Sequence, residues 1–174
     1  MPELVLPTTR LHTAWLAARA DWGPGTHEDG FGLSEQDDVQ TPEGFAAWVR
    51  RRRGEPDPAH PDPVRSPATC WWIVEGETVL GGIALRHGTD DTVLRLGHVG
   101  YGIRPSARGR GLATWALGQV LAVAAADGLD RVLVVCEEAN AASARVIEHH
   151  GGVLEEVRDT GAVRVRRYWV GVRG

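Results

Sequence analysis

The chain has 174 residues, 43% hydrophobic and 24% charged, which fits one ordinary folded domain and excludes a disordered chain. Its 19 basic and 23 acidic residues leave a formal charge of −4. That argues against nucleic acid or an anionic membrane as the main partner, since both require a basic excess.

Every basic residue is arginine; no lysine occurs, and Asn140 is the only asparagine. Cys70 and Cys136 have no CxxC spacing, so neither a disulfide framework nor a zinc site is read from them, and no metal is expected. Met1 to Thr13 carries no apolar signal segment. The longest apolar stretch, Leu112 to Ala126, is 15 residues, short of the ~20 that span a bilayer. The expectation is a cytoplasmic protein of one domain, residues 1–174.

Thr9 to Trp22 reads as a helix, with Leu11, Trp15, Ala18 and Trp22 at helical spacing. Gly23 to Gln40 is rich in glycine and acids (Glu28, Asp29, Glu35, Asp37, Asp38) and reads as a loop. Thr41-Pro42-Glu43 starts a second helix with an N-cap hydroxyl, proline at the first position and an acid near the positive end. Phe45, Trp48 and Val49 give that helix its apolar face. Arg50 to Arg53 at its end read as a solvated face favoured by the dipole, not as a functional polybasic patch. Gly54 to Pro67 holds Pro56, Pro58, Pro61, Pro63 and Pro67 and is expected to be an extended loop.

After it the pattern turns to strands. Ala68 to Glu75 and Thr78 to Arg86 flank the hairpin signal Gly76-Glu77, and Leu94 to Ile103 is expected as a third strand after a turn at Thr89 to Thr92. Gly111 to Asp127 is helical. Arg131 to Glu137 contains Val132-Leu133-Val134-Val135, the run of a strand buried on both faces. Asn140 to His150 is a short helix with Asn140 as N-cap and Gly151 as its left-handed stop. Val153 to Asp159 and Val163 to Val172 form a closing hairpin around Thr160-Gly161. The order ααβββαβαββ gives an α/β fold of the α+β kind, a mixed sheet flanked by helices.

The chemistry concentrates between the third strand and the following helix, in Arg104-Pro105-Ser106-Ala107-Arg108-Gly109-Arg110-Gly111-Leu112-Ala113-Thr114. Glycines admit a ligand close to the backbone, and helix N-terminal amides present donors at the positive end of a dipole. That suits phosphate or pyrophosphate. The segment lacks the Walker lysine, and Thr114 stands at the third Rossmann glycine.

Arg108-Gly109-Arg110-Gly111-Leu112-Ala113 closely resembles the acetyl-CoA signature R/Q-x-x-G-x-G/A of the GNAT superfamily of N-acetyltransferases. Glu137 to Ser143 is similar to that family's strand-to-helix element N-x-x-S/A, and Gly151-Gly152 follows at the usual distance. The resemblance covers about Ala68 to Gly174 well, and Met1 to Pro67 only in element order, as the acceptor side. It implies a GNAT-like acyl-CoA N-acyltransferase fold with splayed fourth and fifth strands. Within the family the chain looks like a bacterial branch whose substrates are mostly unassigned.

The implied cosubstrate is acetyl-CoA and the implied partner a primary amine, either a small metabolite or antibiotic or a peptide or protein amine. A homodimer is left open. The resemblance puts the pyrophosphate on the amides of Gly109, Arg110, Gly111, Leu112 and Ala113, with Arg108, Arg110 and Thr114 near it. The pantetheine arm runs along Tyr101, Gly102 and Ile103, and Asn140, Ser143 and Arg145 reach the cofactor. The helix tyrosine that many members use as general acid is here Ile147.

Direct transfer needs a base for the amine, donors for the oxyanion and an exit for the thiolate. His98 is the favoured base, because imidazole titrates near neutrality; Glu137 and Tyr101 are the reserve candidates. The implied oxyanion donor is a backbone N–H near Tyr101 to Ile103. Trp71, Trp72 and Trp169 are candidates to line an acceptor pocket, and Cys136 is expected to be a buried small apolar residue. The rival expectation is a non-catalytic acyl-CoA- or metabolite-binding module on the same fold.

Overall fold

A computed structural model describes residues 1–24, 32–55 and 68–172. Residues 56–67 of the proline-rich loop expected at Gly54 to Pro67, and the acidic pair Glu28 and Asp29, lie outside the described residues.

The described chain forms one seven-stranded sheet: β1 (Glu3–Val5), β2 (Ala68–Glu75), β3 (Thr78–Arg86), β4 (Val99–Ile103), β5 (Arg131–Glu137), β6 (Val153–Asp159) and β7 (Arg164–Gly171). Their spatial order is β1-β2-β3-β4-β5-β7-β6. The fold is the mixed α/β sheet that the sequence predicts. All neighbouring pairs are antiparallel except β4 and β5, which are parallel. A parallel pair needs a crossover connection, and here it is helix α4 (Leu112–Ala126).

Helices α1 (His12–Trp22) and α2 (Pro42–Arg52) cover one face of the sheet. They bury Trp15, Ala18, Phe45 and Trp48 against Trp72, Val74 and Val79. On the other face, α4 and α5 (Ala141–His149) bury Leu117, Val120, Ala144 and Ile147 against Ile83, Leu85, Val132, Val134 and Tyr168.

The predicted caps form. The Thr41 hydroxyl accepts from Gly44 N–H at 3.1 Å, with Pro42 in the first turn of α2. The arginines that end α2 are partly paired: Arg51 with Asp37, and Arg53 with Glu55 at 3.2 Å.

Two elements depart from the sequence reading. β1 is a three-residue edge strand on β2, too short for a periodic signal. Residues Leu94 to Leu96, expected at the start of a strand, instead end helix α3 (Asp91–Leu96). Asp90 caps that helix by accepting from Val93 N–H at 3.0 Å, and Gly97 stops it at φ 82°. The strand therefore starts at Val99.

Candidate active site

β4 and β5 run together at one end and part at the other. Their ladder has a single register pair, Val99 with Val134. Beyond it, Gly100 to Ile103 pair with β3, while Val135 to Glu137 pair with β7. An opening therefore separates the C-terminal halves of the two strands, and unpaired peptide groups along β4 can take an extended ligand as another strand would.

At the mouth of this opening, Pro105 to Ala107 make one 3-10 turn, and Gly109 and Gly111 follow at φ 78° and 73°. Most other residue types would be strained in this left-handed region. A Cβ at either glycine would meet nothing within 4 Å, so the space above them is open. Gly111 is the N-cap of α4, and no side-chain cap hydrogen bond forms there among the described residues. The first amides of the helix stand at the positive end of a dipole, which suits a phosphate.

Arg108 sits beside these amides, its Nε donating to Ile103 C=O at 3.0 Å and its guanidinium 5.1 Å above the Trp22 ring. Arg110 turns the other way and donates to Glu75 Oε2 at 2.7 Å. That bond holds the Glu75 carboxyl below the usual carboxylate range. Of the two signature arginines, Arg108 is the one held at the loop.

Tyr101 points to the α4–α5 face, and its hydroxyl lies 2.7 Å from Ser143 Oγ on α5. Burial pushes the phenol up to about 12, so it keeps its proton at any physiological pH. Cys136, buried as expected, shares the Ser143 hydroxyl, and burial raises its thiol. Asn140 caps α5 through Oδ1, which accepts from Ser143 N–H at 3.0 Å. Capping therefore uses the amide oxygen of this side chain and not its NH2 donors. Arg145 is exposed one turn along α5, and Ile147 is fully buried in the core.

His98 lies on the opposite face of the sheet and is 5% exposed. Its ring centroid is 6.2 Å from that of Trp169. Its peptide N–H donates to Leu133 C=O at 2.7 Å, and its Nδ1 accepts from Leu133 N–H at 2.9 Å. A ring whose Nδ1 is an acceptor carries its proton on Nε2 when neutral. Burial, helped by the Arg86 charge, pushes the imidazole below its ordinary value.

By strand alternation, Glu137 shares the His98 face and Cys136 shares the Tyr101 face. Glu137 is exposed at the end of β5. The candidate acid–base groups thus flank the opening from two sides and do not form one cluster. Trp72 is buried under α1 and α2, and Trp169 stacks under Arg131, whose guanidinium is 4.1 Å from its ring.

Sequence reasoning missed the groups that hold the loop from α1. Asp21 Oδ2 accepts from Arg104 Nε at 2.8 Å, Ser106 N–H at 3.1 Å and Ser106 Oγ at 2.6 Å. The acid–arginine complementarity was present in the sequence, but its partners are 83 and 85 residues apart. A separate groove of about 440 Å³ between α1 and the β2–β3 turn includes Arg104 in its lining. Among the described residues no cluster of three or more metal-ligating side chains occurs, and no helix is long and apolar enough to cross a membrane.

The fold has many solved counterparts. The chain is 14% identical to the microcin C7 self-immunity acetyltransferase, solved with acetyl-CoA and AMP, over 98% of this chain and 92% of that one, at a TM-score of 0.65. It is 15% identical to the Salmonella typhimurium acetyltransferase that modifies the N-terminal serine of ribosomal protein L7/L12, over 99% and 95%, at a TM-score of 0.68. A third likeness, 14% identical over 99% and 94% with a TM-score of 0.58, is to a Salmonella typhimurium acetyltransferase solved with its cofactor acetyl-CoA. No curated protein sequence matches the chain. The family model described as acetyltransferase (GNAT) domain matches residues 24–153. The chain belongs to the GNAT acetyltransferase family.

Proposed function

We propose that the protein transfers the acetyl group of acetyl-CoA to a primary amine by direct attack within a ternary complex. The observation that carries this reading is the opening between β4 and β5, placed beside the uncapped start of α4. The pyrophosphate takes the amides of Gly109 to Ala113, with Arg108 as its cation and Thr114 near it. The arm pairs with Tyr101 to Ile103 and receives the Asn140 amide from the facing strand end, with Ser143 and Arg145 beside it.

The amine enters from the His98 and Glu137 face, and the thiolate departs toward Tyr101. Tyr101 then acts as general acid in place of the helix tyrosine that Ile147 replaces. Its phenol is protonated at neutral pH, and the phenolate left after transfer is reprotonated by water, with the Ser143 hydroxyl as relay. His98 must give up the Leu133 amide before it can accept a proton at Nδ1, so Glu137 or a water is the better exit for the amine proton. The acceptor is a small cationic amine or a peptide amine; the L7/L12 N-terminal serine of the Salmonella relative is one example of the second class.

A second reading, a binding module without catalysis, is favoured by the burial of Ile147 where the acid usually stands. Thiol release from acetyl-CoA with a panel of amines separates the two, since only the enzyme releases thiol in step with acetylated amine.

A further inference from the structure

We infer that Asp21 is a positioning residue for the phosphate-binding loop: from the end of α1, its carboxylate holds Arg104 and Ser106 so that the amides beyond them face the pyrophosphate. The inference rests on the acetyl-CoA reading above.

Three donors converge on one oxygen of Asp21: Arg104 Nε, the Ser106 amide and the Ser106 hydroxyl. The Asp21 and Arg104 side chains are 23% and 17% exposed. Charge-assisted bonds in partial shelter are stronger and better directed than neutral ones. Arg104 is fixed from below as well, its N–H donating to Leu80 C=O at 2.9 Å.

The loop's one turn closes from this anchor, with Ala107 N–H on Arg104 C=O at 2.9 Å and Arg108 N–H on Pro105 C=O at 3.3 Å. The next residue of α1, Trp22, supports the Arg108 guanidinium. Two consecutive residues at the end of α1 thus hold both ends of the turn, while Gly109 and Gly111 carry no side chain to restrain them. Without the Asp21 anchor the turn and the glycines would lose their common orientation.

Charge and positioning predict opposite signs. Asp21 is an anion near a site for an anion, so Coulomb repulsion alone would make its neutralisation tighten CoA binding. Loss of the anchor should weaken it.

The test is calorimetry of CoA with wild type, Asp21→Asn and Ser106→Ala, alongside NMR titration of pantetheine, which has the arm and no pyrophosphate. Melting curves establish that each variant is folded. We expect Asp21→Asn to weaken CoA binding by about tenfold or more, the size of a lost charge-assisted bond. Ser106→Ala should weaken it less, and pantetheine affinity should stay at the wild-type value in both.

Unchanged or tighter CoA binding by folded Asp21→Asn overturns the inference, as does an equal loss for CoA and pantetheine. If Asp21→Asn does not fold, Ser106→Ala decides alone: unchanged CoA affinity overturns the inference. Wild type that does not bind CoA overturns the underlying acetyl-CoA reading instead.

Discussion

The Leu133 amide donates to Nδ1 of His98 at 2.9 Å, while Leu133 C=O accepts from the His98 amide. An imidazole here stands in for a backbone acceptor, one residue before the point where β4 and β5 begin to part. The side chain whose titration range nominates it as a base makes this bond at the closed end of the opening.

Asparagine carries an acceptor near the position of Nδ1, and glutamine carries a polar atom near that of Nε2. His98→Asn should therefore retain the Leu133 bond and a near-wild-type rate, with His98→Gln less stable. A general base would instead lose its rate by roughly 10²–10⁴-fold in both variants. Stability against pH gives a second check. The folded imidazole titrates below its ordinary value, so between the two values the unfolded chain binds a proton that the native chain does not. Stability should be fully present above about pH 6.5 and fall as pH falls through the folded value. His98→Asn should lack that component in acid-titration melts.

Tyr101→Phe should remove the proton donor for the thiolate while leaving the ring in place. With acetyl-CoA saturating, the rate should fall by about 10²-fold or more, with CoA affinity near wild type. Tyr101 also leaves a mark on alkaline stability. Its folded value, about 12, stands above the ordinary 10. The associated stability is present below about pH 10 and lost as pH rises toward 12. Tyr101→Phe should flatten that limb of the pH–stability curve.

At Gly111, asparagine tolerates the left-handed backbone better than other residues, whereas glutamate adds both strain and charge. Gly111→Asn should keep measurable CoA binding in calorimetry, and Gly111→Glu should abolish it. Equal affinities for the two variants would remove the pyrophosphate from this loop.

Gly118, inside α4, has a packing reason. A Cβ there would meet His150 Cε1 at 3.1 Å, and the ring is held by a 2.8 Å hydrogen bond between Nε2 and Thr114 C=O. In the His150→Ala background, Gly118→Ala should gain up to about 1 kcal/mol from helix propensity. In wild type it should gain less or lose stability. Denaturant melts of the double-mutant cycle measure that difference.

The β2–β3 hairpin was legible because strand-forming runs flank a glycine turn, and Gly76 takes φ 62° there. The loop from Arg108 to Thr114 was legible because two glycines and an uncapped helix start are local features. Helix α3 was not legible because Leu94-Arg95-Leu96 alternates as the start of a strand does. The signals that override it, Asp90 as cap and Gly97 as stop, bracket a helix of only six residues. Asp21 was not legible at all, since its role depends on which strand end α1 meets, and that is decided by packing of the whole sheet. The direction of His98 was likewise hidden, because residue type gives a pKa range and not a hydrogen-bond partner.

The most direct test of the central claim is parallel detection of CoA thiol and acetylated product, with acetyl-CoA and a panel of small and peptide amines. Thiol release is expected only with an accepted amine, matched by a mass gain of one acetyl for one hydrogen on that amine, and lost in Gly111→Glu. Tight CoA binding without transfer to any amine on a panel covering both classes would contradict it and leave a binding module.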